Sequence, residues 1–214
     1  VIIPNFNGMA YLDGVLAGLE CQTVNNFEVI LVDNGSSDGS CAFVSARYPW
    51  VHLIELPENF GFCKAVNEGI KASRAPYVLL LNNDIEVTEN FIEEMISAIR
   101  RHPKAFSCAA RMIQFHDRDK LDDAGNYYCA LGWAYARGKG KDIHTYEKEE
   151  KIFASCAGAA IYRKKIFDKI GLFDEEHFAY LEDMDVGYRA RIHGYENWYA
   201  PDAMVYHVGS GTSG

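Results

Sequence analysis

The chain has 214 residues, 49% of them apolar and 24% charged, which is enough to build one globular domain around a full core. Its formal net charge of −9 removes any general electrostatic case for binding nucleic acid. No stretch approaches the ~20 consecutive apolar residues of a membrane span. The six cysteines stand singly with no CxxC pair, which argues against a zinc cluster and for reduced thiols in the cytoplasm.

The first hundred residues alternate strand and helix. VIIP (1–4) reads as a short buried strand, and Leu12, Val15, Leu16 and Leu19 follow at helical spacing. EVILVD (28–33) is a second strand, after which Ser36, Ser37 and Asp38 supply turn and cap chemistry for a helix reaching about Tyr48. HLIEL (52–56) is a third strand, and Phe62, Ala65, Val66, Gly69 and Ile70 make a second helical stripe. YVLLLN (77–82) is a fourth strand, continuously apolar. Phe91, Ile92, Met95, Ile96 and Ile99 form the stripe of a helix that ends before Pro103. Apolar strands separated by amphipathic helices predict an α/β fold with a parallel sheet covered on both faces. In such sheets ligands bind at the carboxyl ends of the strands. That rule puts Asn5–Asn7, Asp33–Asn34 and Asn82–Asp84 on one edge of the molecule.

The second half is less regular. Residues 106–136 read as strands and turns, and the charged run 137–151 (RGKGKDIHTYEKEEK) as an exposed, mobile loop or an acceptor-side flap. Residues 156–162 read as a buried strand of small residues. Ile166 and Ile170 mark a short helix ending at Gly171, and LEDMDVGYRARIHG (181–194) a helix stopped by Gly194. AMVYHV (203–208) is a last strand. Val1 already lies in a strand with no Met, and HVGSGTSG ends without a closing element. The sequence therefore predicts further residues at both ends, where a targeting segment would lie.

Neither GxGxxG nor GxxxxGK[ST] is present, and the turn after the first strand reads PNFNG, so a Gly-rich phosphate loop is excluded. An acidic protein that handles an anionic substrate then needs a cation. LLLNNDIEV delivers Asp84 to the active edge, where its carboxylate suits a divalent ion that bridges two phosphate oxygens. The plainer reading is a polar turn. Glu182, Asp183 and Asp185 put three carboxylates within four positions of a helix start, next to Phe178 and Tyr180. Capping and dipole compensation need only one, and a carboxylate beside an acceptor hydroxyl can act as general base. His207 ends the last strand. It is either a structural histidine or an imidazole that completes the coordination begun by Asp84.

Taken in order, VIIPNFNG, VDNGSSDGS, ENFGFCKAVNEGI, LLLNNDIEV, CAGAAIYRKKIFDKIGLFDE, FAYLEDMDVGYRARIHGY and VYHVGSGTSG resemble the family 2 glycosyltransferases over nearly the whole chain, closest to the rhamnosyltransferase-like branch of bacterial surface-polysaccharide synthesis. The resemblance implies a GT-A fold: a Rossmann-like, mostly parallel central sheet with helices on both faces and a smaller mixed acceptor-side region. It implies one catalytic domain over 1–214, with a nucleotide-binding half (1–104) and an acceptor and catalytic half (105–214). Pro4, Asn5, Phe6 and Asn7 would line the base and ribose pocket. Asp33 and Asn34 match the pair that hydrogen-bonds the base, and Gly61, Lys64 and Asn67 the segment that closes over the nucleotide. Asn82, Asn83 and Asp84 match Asp-x-Asp, with Asn82 in place of the first acid, which lowers the expected affinity for the ion. Asp183, with Glu182 before it, matches the general base. His207 matches a histidine that joins Asp84 on Mn2+ or Mg2+.

The implied activity is inverting transfer from a UDP- or dTDP-linked sugar to a hydroxyl of a glycan or lipid-linked glycan. The implied place is the cytoplasm, at the inner face of the membrane, with any peripheral attachment made by segments outside this sequence. Two other activities share parts of the pattern. A sugar-1-phosphate nucleotidyltransferase would want a basic Gly-rich segment where PNFNG has no Lys or Arg. A non-catalytic nucleotide-sugar-binding domain fits Asn82 but not the retained Glu182–Asp185 cluster.

Overall fold

The computed structural model describes residues 1–209, so the last five residues of VYHVGSGTSG lie outside the described residues. In chain order the elements are β1 (Ile2–Asn5), α1 (Met9–Glu20), β2 (Ile30–Asp33), α2 (Ser40–Arg47), β3 (His52–Glu55), α3 (Phe62–Ala72), β4 (Tyr77–Leu81), β5 (Ile85–Val87), α4 (Phe91–Arg101), β6 (Ala105–Gln114), β7 (Leu121–Asp123), β8 (Asn126–Tyr128), β9 (Ala134–Ala136), a 3-10 turn (Ile143–Thr145), β10 (Glu150–Ile152), β11 (Ala159–Arg163), α5 (Lys164–Ile170), α6 (Glu182–Ile192) and β12 (Glu196–His207).

One sheet runs in the order β10-β12-β6-β11-β4-β1-β2-β3, with β5 paired to β12 and β7 to β6. β3, β2, β1 and β4 are parallel. β11 is antiparallel to both β4 and β6, and β12 runs parallel to β6. The apolar strands sort their side chains by the two-residue period of a strand. Ile3, Leu31, Leu79 and Leu81 meet α1 and α4 on one face. Ile2, Ile30, Val32, Val78 and Leu80 meet α3, α5 and α6 on the other. The expected α/β layering with helices on both faces is therefore present. A third, smaller cluster of Ala109, Leu121, Ala124, Ile152 and Tyr199 lies under β7 and β10.

Two expectations need correction. The last strand is not confined to 203–208: β12 begins at Glu196 and passes Pro201 through a register shift between Ala200 and Met204. Proline has no N–H for the ladder, and a bulge removes the need for one. The charged run 137–151 is also not all loop. It holds a 3-10 turn, and β10 starts at Glu150 and adds an edge strand to β12. Its first residue, Arg137, is buried, donates Nε to the Ala124 carbonyl, pairs with Glu150 and lies over the Tyr146 ring.

Candidate active site

The parallel strands β1, β2 and β4 end together, and their terminal polar residues form one connected cluster. Asn5 donates Nδ2 to Asp33 Oδ1 at 2.8 Å and to Ser36 Oγ at 3.3 Å, and its Oδ1 accepts from Asn83 Nδ2 at 2.7 Å. Asp33 Oδ2 accepts from the Ser36 amide, and Asn7 Oδ1 accepts from the Ser37 amide. Asn7 takes a φ of +48°, a left-handed conformation that asparagine tolerates better than most residues. Gly8 closes the turn against this cluster, since a Cβ there would lie 2.0 Å from Asn83 Nδ2 and 2.3 Å from Asn5 Oδ1. Pro4 and Phe6 are half-buried on either side of Asn5.

The neighbouring expected residues are tied to one another as straps. Asn34 donates to Asn59 Oδ1 and to the Gly61 carbonyl, and accepts from the Phe60 amide. Its side chain thereby fixes the loop before α3. Gly61 sits at φ +86°, and Phe62 at the start of α3 donates its N–H to the Phe178 carbonyl at 2.8 Å. Asn67 on α3 donates to the Phe173 carbonyl and to Glu175, and accepts from the Phe173 amide. Lys64 pairs with Glu68 at 3.0 Å and Glu175 at 3.6 Å. Asn34, Gly61, Lys64 and Asn67 thus join the end of β2 to the loop that enters α6.

The turn after β4 splits its three polar residues. Asn83 faces Asn5. Asn82 is half-buried, and its N–H donates to the Gly158 carbonyl at 2.8 Å. Asp84, 4% exposed, approaches the end of β12, where its Oδ1 lies 3.5 Å from His207 Nε2. The other ring nitrogen of His207 is 2.7 Å from Asp122 Oδ2. Burial alone would disfavour a charged ring, but the hydrogen bonds and charges of Asp122 and Asp84 outweigh it and raise the His207 pKa to about 9.

The 156–158 loop that meets Asn82 also meets the acidic cluster. Asp183 accepts a backbone hydrogen bond from Ala157, another from its neighbour Met184 at 2.7 Å, and one from Asn126 Nδ2 at 2.7 Å. Burial still raises its pKa to about 6, more than those bonds lower it. Glu182 is pushed up to about 7, by burial and then by the charge of Asp183. Its Oε2 is buried without a hydrogen-bond partner. Asp123, the buried last residue of β7, is likewise pushed up to about 7 by burial. The third acid of the expected cluster separates from the other two. Asp185 pairs with Arg189 at 2.6 Å, and Arg189 donates to the Leu172 carbonyl beyond α5. Tyr180 and Leu181, just before α6, hold φ of +72° and +67°, costly for side-chain-bearing residues and typical of functional turns.

A cavity of about 1000 Å³ opens at the opposite edge of the sheet, lined by Glu28, Arg74, Tyr77 and Arg100 among others. The convergent polar groups and shifted carboxyls lie at the carboxyl edge instead, and site chemistry weighs more than volume.

The model of the family "Glycosyl transferase family 2" matches residues 1–171, four-fifths of the chain. The chain belongs to that family. It is similar to N-acetylglucosaminyl-diphospho-decaprenol L-rhamnosyltransferase of Mycobacterium tuberculosis, 27% identical over 230 residues that cover 97% of this chain and 75% of the relative. Among solved structures it is similar to GalNAc-T7 crystallised with UDP, GalNAc and Mn2+, with a TM-score of 0.80 and 14% identity over 96% of this chain. It is also similar to S. aureus TarS in complex with UDP, with a TM-score of 0.66 and 20% identity over 93% of this chain. The chain spans 43% and 59% of those two structures. At such identities the likeness concerns the fold, and the fold is GT-A.

The donor set of this glycosyltransferase suits a divalent ion that also takes substrate oxygens. One buried carboxylate and one imidazole nitrogen face each other at the sheet edge, and ions of this kind commonly use few protein ligands plus phosphates and water. Among the described residues no group of three or more His, Cys, Asp or Glu side chains is gathered for a metal. Sequence reasoning missed Asn126, which binds Asp183, and Asp122, which binds His207; Asp122 and Asp123 in LDDAG were the available signal. It also missed Asn197, a buried residue whose Nδ2 donates to the Phe153 and Gly187 carbonyls and whose Oδ1 accepts from Ser107. Those bonds hold α6, and with it Asp183, against β6 and β12.

Proposed function

We propose that the enzyme moves a sugar from a UDP- or dTDP-linked donor to an acceptor hydroxyl with inversion at the anomeric carbon. The observation that carries this reading is the pairing of two unlike centres joined by one loop. Asn82 and Ala157–Gly158 connect the Asp84–His207 pair to Asp183, a buried carboxylate whose pKa of about 6 suits a general base near neutral pH. The cluster from Pro4 to Asn7 with Asp33 would hold base and ribose, and the straps through Asn34, Gly61, Lys64 and Asn67 would set the loop that covers the nucleotide. Asn82 and Asn83 would shape the ribose-side floor.

A divalent ion such as Mn2+ or Mg2+ held by Asp84 and His207 would neutralise the diphosphate as it leaves. Asp183 accepts the proton of the acceptor hydroxyl. That oxygen attacks the anomeric carbon from the face opposite the diphosphate, the bond from carbon to diphosphate oxygen breaks, and a nucleoside diphosphate departs. Glu182 stands beside Asp183 as a second buried carboxyl that can hold a proton near pH 7.

The name of the mycobacterial relative, an L-rhamnosyltransferase of N-acetylglucosaminyl-diphospho-decaprenol, supports a polyprenyl diphosphate-linked glycan as the acceptor class. No helix among the described residues is long and apolar enough to cross a membrane. The test is a donor screen with UDP- and dTDP-sugars, Mn2+ and a polyprenyl diphosphate-linked acceptor, with the product anomer read by NMR. A new glycosidic linkage of inverted configuration is the expected result; a retained configuration would overturn the mechanism.

A further inference from the structure

We propose that Asp122 is a positioning residue for His207, fixing the imidazole so that Nε2 and not Nδ1 is offered to the ion shared with Asp84. The inference rests on the reading of Asp84 and His207 as the metal pair. A histidine at the end of a strand can turn about its ring torsion and present either nitrogen. Here Asp122 Oδ2 lies 2.7 Å from Nδ1, while Nε2 lies 3.5 Å from Asp84 Oδ1. A neutral imidazole binds a cation through the nitrogen that lacks the proton, and a carboxylate on the other nitrogen selects that tautomer and makes the ligand more basic.

The backbone is shaped for this contact. β7 pairs with β6 as Met112 with Asp123 and Ile113 with Leu121, so three residues of β7 oppose two of β6, and the unpaired one is Asp122. A bulge of this kind re-aims one side chain. Leu121 and Asp123 turn into the interior, and Asp122 turns the other way, to His207, which β12 brings alongside Gln114 of the same β6. Lys139 reaches the outer oxygen of Asp122 at 3.4 Å from an exposed position and leaves the inner one to the ring.

The experiment measures Mn2+ affinity from the EPR signal of the free ion in the presence of UDP, and UDP affinity separately in EDTA, for Asp122→Ala, Asp122→Asn, His207→Ala and Lys139→Gln. Asp122→Ala should weaken Mn2+ binding roughly 10- to 100-fold. Asp122→Asn, which keeps an acceptor oxygen but not the charge, should weaken it less. Lys139→Gln should match the wild type, and UDP binding in EDTA should be unchanged throughout. If Asp122→Ala binds Mn2+ like the wild type while His207→Ala does not, the positioning role is wrong and the metal pair stands. If His207→Ala is also silent, or the wild type binds no Mn2+, the metal pair falls and this inference with it. Should Asp122→Ala melt early in EDTA, Asp122→Asn alone decides: wild-type affinity in that variant overturns the role.

Discussion

Asp183 and Glu182 are carboxyls that folding works against. Their usual values are 3.8 and 4.5, and in the folded protein burial holds the protons to about 6 and about 7. Between those limits the folded state binds more protons than the unfolded one, so stability falls as pH rises through about 4 to 7. A charge kept at the cost of stability is what a working base requires. Glu182→Gln should therefore melt above the wild type at pH 8 and level with it near pH 4, by roughly 2–4 °C for each kcal/mol relieved. Equal melting at both pH values would show that Glu182 is not held protonated by burial. Asp183→Asn should abolish transfer while nucleotide binding, measured calorimetrically, stays near that of the wild type; normal turnover in this variant removes Asp183 from the base role. In the wild type the transfer rate should climb through pH 6–7 as Asp183 loses its proton. A flat profile from pH 5 to 8 under saturating donor would contradict a base of that pKa.

At the scale of elements, the site is built from turns that tolerate little added bulk. Gly61 combines a φ of +86° with a Cβ position 2.5 Å from the Phe178 carbonyl oxygen. Gly61→Ala meets both strain and a clash with backbone, so the loop must leave α3 or the 173–181 segment must move. The expected outcome is a loss of nucleotide affinity of at least tenfold, with a modest drop in melting temperature, because the loop is peripheral to the core. Retained affinity in a calorimetric titration would mean that this loop does not contact the nucleotide. The strands and helices around these turns were legible from periodicity alone: four apolar runs and their amphipathic stripes fall within one to three residues of the ends of β1 to β4 and α1, α3 and α4. β12 was only half legible, because Pro201 reads as a stop unless a bulge is known to absorb it.

For the whole molecule, the decisive feature is that one sheet passes through both halves of the chain. β11, from the second half, fills the place between β4 of the first half and β6. The division at residue 104 is thus, in our reading, a division of labour within a single cooperative unit. Urea unfolding should give one transition by fluorescence and by circular dichroism; two separated transitions would mean that the halves fold apart. UDP with Mn2+ contacts groups from both halves in the proposed complex. It should then raise that single transition by about 2.7 kcal/mol at a hundredfold excess over Kd.

The sequence by itself determined the layers, the carboxyl edge and the identity of most side chains at it, because strand and helix periods and the order of motifs are written locally. It also singled out Asp84, Asp183 and His207 as candidates, each beside a plainer structural reading, and the resemblance then gave them expected roles. Only the tertiary structure decided which of those polar residues face one another. Asn34 and Asn67 proved to be tied to backbone in neighbouring loops, Asp185 to Arg189, and Asp84 was brought to His207 from 123 positions away by the pairing of β5 with β12. Burial is likewise a property of the packed whole. The protons that Asp183, Glu182 and Asp123 keep to about pH 6–7 come from desolvation by elements remote in sequence, and no local pattern encodes them.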